Sequence, residues 1–379
     1  MKNNDLCLIF ILLLLSGCKK EGNFVESLPS CPKGIVFPVS PIATEDVIRI
    51  IPLGHYHPSG HVFPTSHHYI DVIRGMGSIP VYAPCDGWIT YVTEHQLPAP
   101  YNVEYSVSLW ACRDIMVEYG HLPRLDESIL AQLGKVTKTD VYSTGGTTFN
   151  LNIYEPEIRV KAGDRIGELP DMPEITGIDY GTIDKRENLP LIKPERWGEY
   201  GYKNAVSFLN YTTAEIRDFY FELVQTGNEG YLQRKVPPFE GQVCYDMEGT
   251  IQGLWFMPGR PVVPEDPHLS LILNNFNPEK NVISMGTSVP GIPSYAYEFH
   301  PEETGTHNRP FNQVTNDGKI YTFSNFVNIW DQPYSDFLFP SENVIIMQLV
   351  DDETLRIEQQ TISDGPPWSF TNNSRDFKR

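Results

Sequence analysis

Basic residues are scarce in this chain: 29 lysines and arginines stand against 48 aspartates and glutamates, a formal net charge of −19. Such a chain has no broad basic face to neutralise phosphates, which argues against nucleic-acid binding. Anionic lipid repels it too, so membrane attachment needs something other than charge. Long apolar runs are also missing. The one candidate, Leu6 to Leu15, has about ten residues, half of the ~20 that a membrane-spanning helix needs. Cysteine is sparse, six in 379 residues. Histidine is sparse and uneven: five of the ten lie between positions 55 and 68, and none lies between Leu122 and Pro267. There is no internal repeat.

What is present favours β structure. The 32 prolines, 29 glycines, 20 tyrosines and 19 phenylalanines suit short strands joined by turns. An apolar content of 40% supports a real core, and 379 residues suggest two domains. Ile79 to Pro84, the turn Asp86-Gly87 and Trp88 to Val92 read as a hairpin. Tyr105 to Ala111 and Ile115 to Tyr119 read as a second. Ile158 to Gly167 reads as strand, turn, strand, and Val206 to Leu209 as a strand. Leu125 to Leu133, capped by Asp126, and Thr213 to Val224, capped by Thr212 or Thr213, read as helices. Pro237-Pro238 breaks the chain, which puts a domain boundary near 225–238. Beyond it, 249–256, 319–323 and 344–349 are the clearest strands of a second β-rich domain, 238–379. Trp255, Phe256 and Tyr295 read as its core, Glu265 to His268 as a solvated loop or a cation site, and the polar tail from Ser363 as fraying.

The N-terminus carries a resemblance. A basic start at Lys2, the short apolar run and Leu15-Ser16-Gly17-Cys18 are similar to the signal peptide and lipobox of bacterial lipoproteins. The resemblance implies a signal peptide over 1–17, acylation of Cys18 (palmitate and related chains) and a polar tether over 18–33. It implies a protein body held at the membrane of a bacterial envelope, and Lys19 points to the outer membrane. Four further cysteines, Cys31, Cys85, Cys112 and Cys244, then allow up to two disulfides in an oxidising compartment. Cys85–Cys112 is the pair expected from neighbouring strands; the alternative is four free buried thiols.

Four motifs follow one another in residues 50–210. His67-His68-Tyr69-Ile70-Asp71 places a histidine four residues before an aspartate. Val81, Ala83, Asp86-Gly87 and Ile89 form the next pattern, Tyr119, His121 and Leu122 the third, and Val160, Gly163 and Ile166-Gly167 the fourth. This order resembles the LytM/lysostaphin-type zinc endopeptidases, which cut peptidoglycan. The resemblance implies a LytM-like β-barrel or sandwich-hybrid domain over 34–225. It implies His67 and Asp71 as zinc ligands and His121 as a catalytic histidine. The family's last motif, His-x-His, is missing: Thr176 to Gly181 offers only Asp179 and a glycine, and Ala205 to Phe208 offers Ser207. The glycine inside the first motif is also absent, with His68 and Tyr69 there instead. The same hairpins are similar to biotinyl/lipoyl barrels, but the lysine-bearing modification turn is lacking.

Two functional expectations follow. In the first, the domain no longer hydrolyses peptides, holds no cofactor and binds cell-wall peptide or an envelope protein. In the second, it is an active zinc metallopeptidase with rearranged ligands drawn from His55 and His57, which share one face of an extended segment, with His61 close behind; Asp179 is a further replacement ligand. The bland alternatives are that 54–66 is a surface loop with locally bonded histidines, that His67 and His121 are satisfied core residues, and that the whole chain is a structural envelope protein.

Overall fold

A computed structural model describes residues 24–75, 77–96, 103–144, 147–172, 176–198, 201–226, 232–328 and 339–379. The apolar leader and Cys18 lie outside the described residues. The chain is mostly β, in several antiparallel sheets, with no closed barrel among the described residues.

Among the described residues the first half holds twelve strands: β1 (Val47–Ile51), β2 (His67–Val72), β3 (Ile79–Tyr82), β4 (Gly87–Gln96), β5 (Val103–Trp110), β6 (Ile115–Leu122), β7 (Arg124–Leu125), β8 (Lys138–Thr144), β9 (Thr147–Tyr154), β10 (Ile158–Val160), β11 (Arg165–Leu169) and β12 (Gly177–Asp184). A large sheet runs β1-β2-β12-β6-β5-β4-β9-β8, with β10 also on β4. A small sheet runs β3-β11-β7. Alternation is strict in β12 of the large sheet: Ile178, Tyr180 and Thr182 are buried while Asp179 and Gly181 turn outward. The small sheet and helix Ala214–Thr226 supply residues to the same inner core, with Val81, Ile166, Tyr220 and Val224 packed with Ile70, Ile89, Val107 and Val117. Each such aliphatic side chain gains roughly 1.5–3 kcal/mol from burial. Thr213 caps that helix by accepting from the Ile216 N–H. Asp126 caps a helix that runs only Glu127–Leu130.

The second half holds β13 (Gly253–Trp255), β14 (Leu269–Leu273), β15 (Asn281–Met285), β16 (Tyr295–Phe299), β17 (Tyr321–Phe323), β18 (Asn343–Asp351), β19 (Thr354–Thr361) and β20 (Arg375–Lys378). They form two four-stranded antiparallel meanders that share one aromatic-rich core. A separate cluster joins the halves: Leu53 and Phe63 pack with Trp197, Tyr202, Val243, Leu254 and Phe256.

Several expectations are corrected. Cys31, not Cys85, pairs with Cys112, while Cys85 and Cys244 are buried free thiols. The end of the expected tether is docked: Val25 and Leu28 are buried against Trp110 and Met116, and Phe24 meets Trp88 edge-on. Their apolar spacing, hidden in a polar stretch, explains it. Val206 to Leu209 is no strand; Ser207 accepts from the Leu209 N–H and starts a 3₁₀ turn, Phe208–Asn210. The tail does not fray, because β20 pairs with β19 and inserts Phe377 into the core at 0% exposure. Trp255 and Phe256 are core, but Tyr295 is 41% exposed.

Candidate functional site

The outer face of β2-β12-β6-β5 carries the candidate site. β12 runs between β2 and β6, so Gly181 lies opposite His67 and Asp179 opposite Gly120. Space at Gly120 is tight: a Cβ on it would sit 3.0 Å from the Asp179 Cβ. His121 follows with φ +53°, in the left-handed region that side chains avoid. The β5–β6 register slips at this point, with Tyr105 facing Leu122 but Val107 facing Tyr119. This bulge adds one residue to β6 and re-aims it. Plain alternation would send His121 into the core after Tyr119; the bulge brings it to the outer face and returns Leu122 to the core, where it is 0% exposed.

His67 and His121 therefore converge on Asp179. Their Nε2 atoms lie 3.3 and 3.4 Å from Asp179 Oδ2. The Nε2 of His67 is enclosed and has no hydrogen-bond partner. Nδ1 of His121 donates to both oxygens of Glu104 at 3.0 Å. His61 stands edge-on to His67, ring centroids 5.3 Å apart. These groups line a cleft of about 240 Å³, and Tyr142 and Phe149 of the β8–β9 hairpin form an aromatic side of it.

Asp71 is elsewhere. It shares a face with His67 on an unbroken strand, and four residues of strand span about 13 Å. Its Oδ2 accepts from Arg49 Nε at 2.7 Å and from Arg49 Nη2. A carboxylate matched to a guanidinium in this way is engaged in a strong pair. His68 points inward, where Nε2 meets Ser207 Oγ at 2.9 Å and the ring packs edge-on to Phe208; it is a core histidine. His55 stacks on Tyr56 and meets Tyr69 edge-on. His57 and His61 exchange backbone bonds of 2.8 and 2.9 Å across a tight turn. Of the upstream histidines it is His61, not His55 or His57, that lines the cleft. The surface-loop expectation for 54–66 is corrected as well: Tyr56, Val62 and Phe63 are buried. Glu265 is not a solvated loop residue, since it accepts the Phe63 N–H at 2.8 Å, and His268 is buried at 0%.

The electrostatics differ around the cleft. Burial holds His67 down to about 3 and His61 to about 4, so both rings are neutral at pH 7. Burial raises Asp179. The Glu104 hydrogen bond, with help from Asp179, lifts His121 to about 9. A raised histidine pKa adds stability that is complete below the ordinary 6.5 and is lost as pH rises through about 9. Glu104→Gln should move the His121 titration midpoint, followed by ring-proton NMR, back toward 6.5. The wild type should lose more stability than the variant between pH 6.5 and 9; parallel pH–stability curves would refute this.

Among the described residues, no three His, Cys, Asp or Glu side chains close into a ready metal-binding group. Asp179 was the residue hardest to see in the sequence; its only signal was its place after the fourth motif. Set against known proteins, the chain matches no family model and no curated protein.

Proposed function

We propose that this chain is a membrane-tethered extracytoplasmic lipoprotein, anchored through Cys18 at the bacterial outer membrane. In this reading its first domain is LytM-like and peptidase-related, and its cleft binds a cell-wall peptide or a segment of an envelope protein without hydrolysing it. The observation that carries the reading is the fate of the expected ligands. Asp71 is tied to Arg49, and β12 presents Asp179 and Gly181 where two imidazoles are needed. The strand order β2-β12-β6 supports the ancestry, because it sets the first, last and third motif segments side by side. The test is to expose the full chain in detergent to soluble muropeptides, following binding by calorimetry and cleavage by mass spectrometry. Binding without cleavage, weakened about tenfold by Tyr142→Ala as for one lost aromatic contact, is expected. Cleavage lost in His67→Ala would overturn the reading.

One observation favours a second reading, a rebuilt zinc site. Tetrahedral zinc with bonds of ~2.0–2.1 Å sets neighbouring ligand atoms roughly 3.3–3.4 Å apart, the spacing of both imidazole nitrogens from Asp179 Oδ2. His67 Nε2 has no hydrogen-bond partner, and Glu104 holds His121 Nδ1 so that Nε2 faces Asp179, as carboxylates behind metal-bound histidines do; zinc would have to displace the proton that His121 holds at pH 7. Bound there, zinc would supply a water acidified toward ~7. This reading predicts stoichiometric zinc that is lost in Asp179→Asn.

A further inference from the structure

The segment joining β1 to β2, residues 52–66, carries His55, His57 and His61, and the second domain grips it. Asn275 Nδ2 donates to the Pro52 carbonyl at 3.0 Å. Ser270 Oγ donates to the Val62 carbonyl at 2.7 Å, and Glu265 accepts the Phe63 N–H at 2.8 Å. Tyr56 donates its hydroxyl to Glu298 Oε1 at 3.0 Å. Phe63 stacks on His268, ring centroids 5.3 Å apart and 12° from parallel. At the root of the loop two backbones touch: a Cβ on Gly54 would fall 1.9 Å from the Gln242 carbonyl oxygen. Ser270, Asn275, Glu298 and His268 are all buried. From the first half, the Tyr202 hydroxyl donates to the Pro64 carbonyl, Trp197 meets Phe63 edge-on and Tyr69 meets His55 edge-on, while Thr65 bonds Gly54 and His55 within the loop itself.

We infer that the second domain is the positioning element of the cleft: Glu265, Ser270, Asn275 and Glu298 hold the histidine loop against β2 so that His61 stands over His67. A loop without such anchors samples many paths. Polar anchors spaced from Pro52 to Phe63 select one, and the His57–His61 turn then points its ring into the cleft. This gives residues 238–379 a role in the site although β13–β20 contribute no side chain to the cleft lining. Glu265, Ser270, Asn275 and Glu298 are thus positioning residues.

The inference rests on the cleft being the functional site, and the two fail separately. The test compares the full chain with Glu265→Ala/Ser270→Ala and with Tyr56→Phe. In the double variant, amide exchange over 54–65 should rise about tenfold or more, as local opening predicts. The nuclear Overhauser contact between the His61 and His67 rings should vanish, while exchange in β6 and β12 stays as in the wild type. Glu265→Gln, which keeps an acceptor, should restore the contact in a Ser270 background. If β12 also opens in the double variant, Tyr56→Phe alone decides by the same two readouts. An unchanged loop and ring contact in the variants would overturn the positioning role whatever happens to binding. A freed loop with unchanged muropeptide affinity would instead overturn the cleft reading and leave the positioning role standing.

Discussion

Lys280→Met should destabilise the protein by about 3–5 kcal/mol, the cost of leaving one half of a buried ion pair uncompensated. Lys280 and Glu298 have side-chain exposures of 2% and 0%, and Nζ lies 2.8 Å from Oε2. Among the described residues Glu298 would keep only neutral donors, Tyr56 and Asn274. For a unit of this size, roughly 2–4 °C is lost per kcal/mol, so calorimetry should show a melting point lower by on the order of 10 °C. Replacing both partners, Lys280→Met with Glu298→Gln, should recover much of the loss, since removing a whole buried pair is often near neutral. A single variant that melts with the wild type would show that water already reaches the pair.

The second large effect concerns Cys31–Cys112, which spans 81 residues of sequence. Closing a loop of that length removes enough freedom from the unfolded chain to stabilise the fold by about 4.5 kcal/mol, with measured losses usually 2–5 kcal/mol. Cys31→Ser/Cys112→Ser should therefore lower the urea midpoint sharply, and reductant should do the same to the wild type. Cys85 and Cys244 should stay unreactive toward alkylating agents in the native state, because burial pushes both thiols up to about 12. Equal midpoints with and without reductant would refute the stabilising role.

The parts of the structure written in local pattern were legible. Alternation in Trp88 to Val92, in Tyr105 to Ala111 and in Ile115 to Tyr119 matches β4, β5 and β6. Thr213 and Asp126 cap helices because their side chains act within three residues of themselves. The rest depended on long-range partners. Asp179 gains meaning only when β12 slots between β2 and β6, each more than 50 residues away. Nothing near Asp71 announces Arg49, which arrives on a neighbouring strand. The Pro-, Gly- and His-rich loop looks like surface because the groups that bury it lie more than 200 residues downstream. Cys31 precedes every strand, so its place beside the β5–β6 turn could not be counted off. His121 was found for its motif, but its direction is set by a bulge that sequence alternation would misread.

The Cys31–Cys112 crosslink also sets how the molecule carries mechanical load. β1 is an edge strand, and a pull arriving along the chain from the N-terminus would peel it from β2 one bond at a time. The disulfide diverts that pull: tension entering at Cys31 crosses to Cys112, between β5 and β6 in the interior of the large sheet. Residues 32–111 then form a slack bypass, and β1, the histidine loop and β2 all lie within it. Under a load entering from the N-terminal side, the edge strand that flanks the cleft strand β2 would thus stay out of the line of tension.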